Sequence, residues 1–321
     1  MLFKTHFFNK TILVTGGTGF IGSNLVHRLV SYGANVHVIV RTTSHLNRIE
    51  AVKSQINLID VTGLSANLLT TKIIDLSPEY IFNLAQPAYK ELISIDVFAD
   101  QLRSTSSLLM TLLHASCTSS NLRAFVHGCS STIYHWNEES YILSEKTILK
   151  PATERGLIKL NERNLCVFGA EVLNLPIRIA RIFRAYGPRD HSYKLIIKVI
   201  ECIVNNQPMS VTNDRYKRDY IYIEDLIDGL LLMAINKIEN GCEVNFGSSK
   251  QYSAREIISL IESVIGKDLV KSGELKPSVY DRGEYVADIS KAEELLGWKN
   301  SWSIVKGLDE TIKWYFEEYG L

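Results

Sequence analysis

The order of apolar runs along the chain predicts an α/β fold: a doubly wound parallel sheet with a smaller C-terminal α/β lobe. Three observations carry that prediction. Short β-rich runs alternate with longer segments of helical period up to about residue 180. The first run, Thr11 to Val14, passes into Thr15-Gly16-Gly17-Thr18-Gly19-Phe20-Ile21-Gly22 and then into an amphipathic helix from Ser23. After Pro188 the regular alternation stops, and short extended pieces mix with helices. Residues 1–180 are therefore expected to form one domain and residues 181–321 a second lobe, interleaved with the first.

Taken in order, Val36 to Val40 reads as the second strand and Ile56 to Ile59 as a third, ending at Asp60-Val61. Tyr80 to Ala85 is a buried strand closed by Gln86-Pro87. Leu102 to Cys117 has one apolar face and one serine-rich face and predicts a helix. Arg123 to Cys129 is a strand ending in Ser130-Ser131-Thr132-Ile133-Tyr134, and Thr153 to Val167 a helix with Arg155 and Lys159 one turn apart. Val172 to Arg181 leads into a further strand. Beyond it, Leu195 to Asn205 and Glu224 to Ile235 read as helices, and Met209 to Val211, Asp219 to Ile223 and Glu243 to Phe246 as extended pieces. Ser253 followed by Glu256 is a capping box opening the helix to Val264. Ala292 to Trp298 and Ser303 to Tyr319 are helical.

The glycine-rich turn is the first functional signal. A strand, this turn and a helix together bring bare backbone N–H groups and a helix N-terminus against a pyrophosphate. Gly16 permits the tight turn, Gly19 lets the backbone approach the phosphates, and Gly22 lets helix pack on strand; Thr18, Phe20 and Ile21 line the same loop. The expected architecture is thus a dinucleotide-binding (Rossmann) domain. At the end of the second strand stands Arg41, followed by Thr42-Thr43-Ser44, where a carboxylate would grip a ribose 2′-hydroxyl. Arg41 and Ser44 suit a 2′-phosphate instead, so NADP is expected ahead of NAD. Asp60 with Val61 could accept from the adenine amino group, or Asp60 could serve only as a turn residue. Leu84, Ala85 and Gln86 end the strand where a cofactor ribose would lie.

Composition narrows the alternatives. The 321 residues carry 35 Lys plus Arg against 35 Asp plus Glu, which speaks against a nucleic-acid or membrane surface as the main partner. The five cysteines form no C-x-x-C pair and read as reduced thiols, consistent with a cytoplasmic setting. No apolar run reaches membrane-spanning length, Met1 to Lys10 is too short and interrupted for a signal peptide, and no metal-ligand spacing occurs.

These pieces together resemble one family over nearly the whole chain: the extended short-chain dehydrogenases/reductases, of the nucleotide-sugar epimerase, dehydratase and reductase type. The resemblance is carried by Thr15 to Gly22, Asp60-Val61, Asn83-Leu84-Ala85, Ser130 to Tyr134, Tyr186-Gly187-Pro188, Arg218 to Ile223, Asn245 to Ser248, Asp288 to Ala292, Leu296-Gly297-Trp298 and Gly307-Leu308. It implies a catalytic Ser or Thr, Tyr and Lys, in which the lysine binds nicotinamide-ribose hydroxyls and the tyrosinate exchanges the substrate proton. Ser130 and Lys159 fall on the first and last of these positions, but the residue four before Lys159 is Arg155.

That substitution changes the chemistry. A guanidinium stays protonated and cannot be a general base, yet it can donate to a ketone or oxyanion, or grip a carboxylate or phosphate. The proton must then come from Lys159, His135 or water. The similar 4,6-dehydratases carry an Asp-Glu pair where this chain has Ser131 and Thr132, which argues against dehydration and leaves Ser131 as a substrate contact. Arg218 and Arg282 match arginines that hold the nucleotide diphosphate in many members, and Arg184 replaces a common asparagine. The resemblance implies a homodimer through the Leu102–Cys117 and Thr153–Val167 helices. A reductase or epimerase acting on a nucleotide-diphosphate sugar is the leading expectation. A non-catalytic binding protein and an isomerase working by enolisation with a tightly held cofactor are the alternatives.

Overall fold

The computed structural model describes residues 2–86, 94–135, 141–212, 216–275 and 285–320. Its principal sheet has seven strands: β1 (Thr11–Thr15), β2 (Asn35–Val40), β3 (Asn57–Asp60), β4 (Tyr80–Asn83), β5 (Ala124–Ser130), β6 (Ile177–Ile182) and β7 (Cys242–Phe246). Their spatial order is β7-β6-β5-β4-β1-β2-β3. β1 pairs in parallel with both β2 and β4, β2 with β3, and β4 with β5. Strand order reverses between β1 and β4, and at such a switch point the chain opens a crevice beyond the strands' C-terminal ends. Helices cover both faces, so the central strands are buried throughout: Ile12, Leu13 and Val14 of β1 are 0% exposed.

The glycine turn follows from close approach. Gly16 has φ +68°, and a Cβ there would sit 2.5 Å from the Leu84 carbonyl oxygen. A Cβ on Gly22 would collide with the Gly16 carbonyl. Only glycine at both positions lets the turn lie against the end of β4 while the Phe20–Ser31 helix starts on top of it.

Two compact units divide the chain. The first takes residues 1–133, 151–181 and 227–244; the second takes 134–150, 182–226 and 245–321. Within the second, strand Lys217–Tyr222 runs parallel to Arg184–Tyr186 and antiparallel to Gln251–Ser253. Two buried carboxylates organise this unit. Asp219 accepts from the backbone N–H groups of Ser248, Ser249 and Ala287 and from the Ser248 hydroxyl. Asp225 accepts from the N–H groups of Ser301 and Trp302, while its own carbonyl takes the Trp298 indole N–H.

Several element boundaries differ from expectation for local reasons. The helix expected from Leu102 begins at Ile95, because Ser94 caps it by accepting from the Val97 N–H. The capping box at Ser253 and Glu256 is present as read. The segment Asn47–Gln55 forms 3-10 turns, and Ile142–Leu143 pairs with Val286–Ala287. Neither carries a periodicity that sequence reading detects.

Candidate active site

At the switch point the Phe20–Ser31 helix presents an N-terminus whose N-cap is Gly19, with no side-chain cap. Its first N–H groups are therefore available to an anion, and the glycines let the turn pack closely against the end of β4 and the start of the helix. Both features fit a dinucleotide. The neighbouring strand ends are fastened to one another. Leu84 N–H donates to the Thr15 carbonyl at 3.2 Å and Ala85 N–H to the Thr15 hydroxyl at 3.1 Å. Beyond β2, Arg41 is exposed, and its N–H donates to the Ser44 hydroxyl at 3.0 Å, closing a turn. Thr42 N–H donates to Thr62 Oγ1, and Thr62 N–H to Asp60 Oδ1, each at 2.8 Å. Hydrogen bonds from the Thr62 hydroxyl and then its N–H hold the Asp60 carboxyl below its ordinary range. Asp60 is thus engaged as a turn residue beside Val61, whose N–H reaches the Val40 carbonyl.

β5 and the Glu154–Glu171 helix supply the candidate catalytic residues. Ser130 Oγ accepts from the Thr132 N–H and hydroxyl at 3.3 and 3.1 Å, and Ser131 is buried. The Thr132 carbonyl comes so close to the helix that a Cβ on Gly156 would lie 2.5 Å from it. This close approach seats the Ser130 turn against the helix's first turn, where Arg155 stands. Arg155 is half-buried and donates through Nη2 to Gln86 Oε1 at 3.1 Å. Thr153 caps the helix by accepting from the Gly156 N–H.

Lys159, one turn on, points inward. It is 3% exposed, and its Nζ donates to Glu162 Oε2 at 2.7 Å and to the Gly128 carbonyl at 2.9 Å. Behind this pair lies a directional chain. The Thr15 hydroxyl donates to Asn83 Oδ1 at 2.6 Å, and Asn83 Nδ2 donates to His127 Nδ1 at 3.0 Å. That assignment leaves the ring proton on His127 Nε2, which stands 3.5 Å from Glu162 Oε2, too far for a strong bond. His127 is fully buried; burial, then the Lys159 charge, push its pKa well below 6.5 and keep it neutral. Burial also lifts the neighbouring Cys129 thiol to about 11, against the pull of Lys159. Sequence reading missed Glu162 and His127. The one available signal was the Lys-x-x-Glu spacing, which puts both side chains on one helix face.

In the second unit Arg184 and Tyr220 are register partners, with the guanidinium 5.7 Å from the ring centroid. Arg218, two residues before Tyr220 on the same strand face, lies 5.4 Å from the centroid of Tyr285. Two guanidiniums backed by aromatic faces form a cationic surface suited to phosphate oxygens. Arg282 lies outside the described residues. Among the described residues no group of His, Cys, Asp and Glu could hold a metal ion, and no helix is long and apolar enough to cross a membrane.

A parallel seven-stranded sheet with a pyrophosphate cradle at its switch point defines a dinucleotide-binding α/β protein. The family model for NAD dependent epimerase/dehydratase matches residues 12–247, and the chain belongs to that family. It is 28% identical over 315 residues to the protein called uncharacterized UDP-glucose epimerase YtcB of Bacillus subtilis, covering 96% of this chain and 98% of the relative. A probable dTDP-glucose 4,6-dehydratase of Sinorhizobium fredii is 26% identical over 326 residues, covering 95% and 93%. Among solved structures, UDP-glucuronic acid 4-epimerase from Bacillus cereus in complex with NAD superposes with a TM-score of 0.80 at 28% identity, covering 96% of this chain and 99% of that one.

Proposed function

We propose that this protein is a nucleotide-sugar reductase or epimerase with a preference for NADP, in which a fixed cation, Arg155, occupies the position that the resemblance gives to a tyrosine. The observation that carries the proposal is the bond from Arg155 to Gln86. It holds the guanidinium beside the C-terminal end of β4, next to the crevice where a dinucleotide fits.

A permanently charged donor there favours one direction of chemistry. Arg155 cannot take a proton from an alcohol, but it stabilises negative charge on a carbonyl oxygen as that charge develops. Carbonyl reduction and enolate stabilisation both draw on this, and the bound dinucleotide would supply the hydride for the former. Ser130 adds a hydroxyl donor from the facing turn, and Ser131 lies beside it. The proton is then left to Lys159, whose ammonium is held by Glu162, to His135 or to water. Arg184 and Arg218, with Arg282, are assigned to the diphosphate, and Ser44 and Arg41 to the 2′-phosphate. Relatives described as acting on UDP-sugars and dTDP-sugars support a nucleotide-diphosphate sugar as the ligand.

We assign the homodimer contact to the Ile95–Cys117 and Glu154–Glu171 helices, where Met110, Leu157 and Phe168 are exposed. Mass spectrometry of small molecules released from the purified protein, followed by titration with NADPH and a panel of 4-keto nucleotide sugars, tests the reading. Retained or titratable dinucleotide and consumption of NADPH by a keto sugar are expected. No dinucleotide binding at millimolar concentration would overturn it.

A further inference from the structure

We propose that Glu162 is the counter-ion that positions the Lys159 ammonium for dinucleotide binding. The proposal rests on the dinucleotide-binding reading above. An ammonium has three N–H donors. Two are committed inside the first unit, to Glu162 at 2.7 Å and to the Gly128 carbonyl at 2.9 Å, which leaves one donor for a third partner. With Arg155 one turn away, the helix carries two cations and no phenol at this end. Without a carboxylate, a lysine 3% exposed would face a large desolvation cost and repulsion from its neighbour.

Glu162 itself is 2% exposed and is bracketed by Lys159 on one side and His127 on the other. The chain from Thr15 through Asn83 to His127 presents only a neutral imidazole, so Lys159 is the cation that balances the carboxylate within hydrogen-bonding distance. An incidental helix-surface pair would be exposed, as Lys53 and Glu50 are; this one is buried.

The test reads dinucleotide affinity in Glu162→Gln and Glu162→Asp. Glutamine keeps a hydrogen-bond acceptor and the volume but removes the charge. The other titratable groups around the pair are His127 and Cys129 on β5, Cys166 on the same helix, and Arg181 on β6. His127 is held well below 6.5, Cys129 is at about 11 and Cys166 is well above 9.0.

NADPH and NADH affinities are followed by nicotinamide fluorescence. In Glu162→Gln both should fall about tenfold or more, because the buried ammonium loses its carboxylate. Glu162→Asp, which keeps the charge in a shorter side chain, should restore most of the affinity. If Glu162→Gln folds by circular dichroism and binds both dinucleotides with the wild-type affinity, the proposal is overturned. A loss that Glu162→Asp does not restore makes Glu162 a packing residue and overturns it as well. Failure of the wild type to bind either dinucleotide overturns the functional reading instead.

Discussion

The Arg155 guanidinium donates to the Gln86 side-chain oxygen at 3.1 Å, tying the first turn of the Glu154–Glu171 helix to the residue that follows β4 and Leu84-Ala85. A tyrosine at that position could not make the same permanently charged contact. Arg155→Tyr should therefore lower keto-sugar reduction, by about ten- to a thousandfold if the cation stabilises the developing oxyanion. Arg155→Ala should lose comparably. Equal turnover and equal sugar-nucleotide affinity in wild type and Arg155→Ala would remove Arg155 from the site. New alcohol oxidation in Arg155→Tyr, with no reductase in the wild type, would favour a protein that binds without catalysing.

Cofactor choice is read at Arg41. NADPH should bind more tightly than NADH, and Arg41→Ala should cost NADPH about 1.5–3 kcal/mol while leaving NADH nearly unchanged. Calorimetric titration of both dinucleotides decides it. Tighter NADH binding by the wild type would reverse the assignment, in line with the NAD found in the Bacillus cereus relative's structure.

Dehydration is expected to be absent. Ser131 is 8% exposed, and neither it nor Thr132 can ionise to move a proton off carbon or protonate a leaving hydroxyl. Incubation with UDP-glucose and dTDP-glucose should yield no 4-keto-6-deoxy product. Robust formation of one would show that carboxylates from elsewhere serve this site.

Acid should weaken the fold through two groups of the first unit. Glu243 is pushed up by burial, but hydrogen bonds and charges from Arg163 and Arg181 outweigh this and hold it below 4.5. Its contribution is therefore present above the ordinary glutamate range and is lost as pH falls through the lowered folded value. His127 is neutral in the fold, whereas the unfolded chain takes up a proton below about 6.5. Stability should consequently decline from pH 6.5 downward by up to ~1.4 kcal/mol per pH unit for this one group. Urea unfolding between pH 7 and 5 should show that slope in the wild type and a shallower one in His127→Asn. At pH 7, Glu243→Gln should lose about 3–5 kcal/mol, because Arg181 is 2% exposed and would be left without its carboxylate. A loss under 1 kcal/mol would mean that solvent replaces the pair.

How far the sequence reached depends on the range of the interaction involved. The glycine turn, the strand–helix alternation and the capping box at Ser253 are local events: backbone sterics, side-chain period and a bond three residues away decide them. They were legible, and with them the family. The placement of Arg155 and Lys159 one turn apart on one helix was legible for the same reason, since helical spacing is a property of the chain itself.

Tertiary structure decided which way those side chains turn and what they meet. Lys159 points inward because Glu162 lies on its own helix face while the Gly128 carbonyl arrives from β5, thirty-one residues earlier. His127 is neutral because strands remote in sequence bury it and Asn83 supplies its partner, a balance of desolvation and geometry that no local pattern encodes. Likewise Glu243 reads as one more charged residue until β6 and the Glu154–Glu171 helix bring Arg181 and Arg163 to it. Sequence by itself determined the glycine turn and the spacing of Arg155 and Lys159 on one helix face. Long-range packing alone determined the charge balance beneath them, because the cost of burying a charge is set by everything that surrounds it.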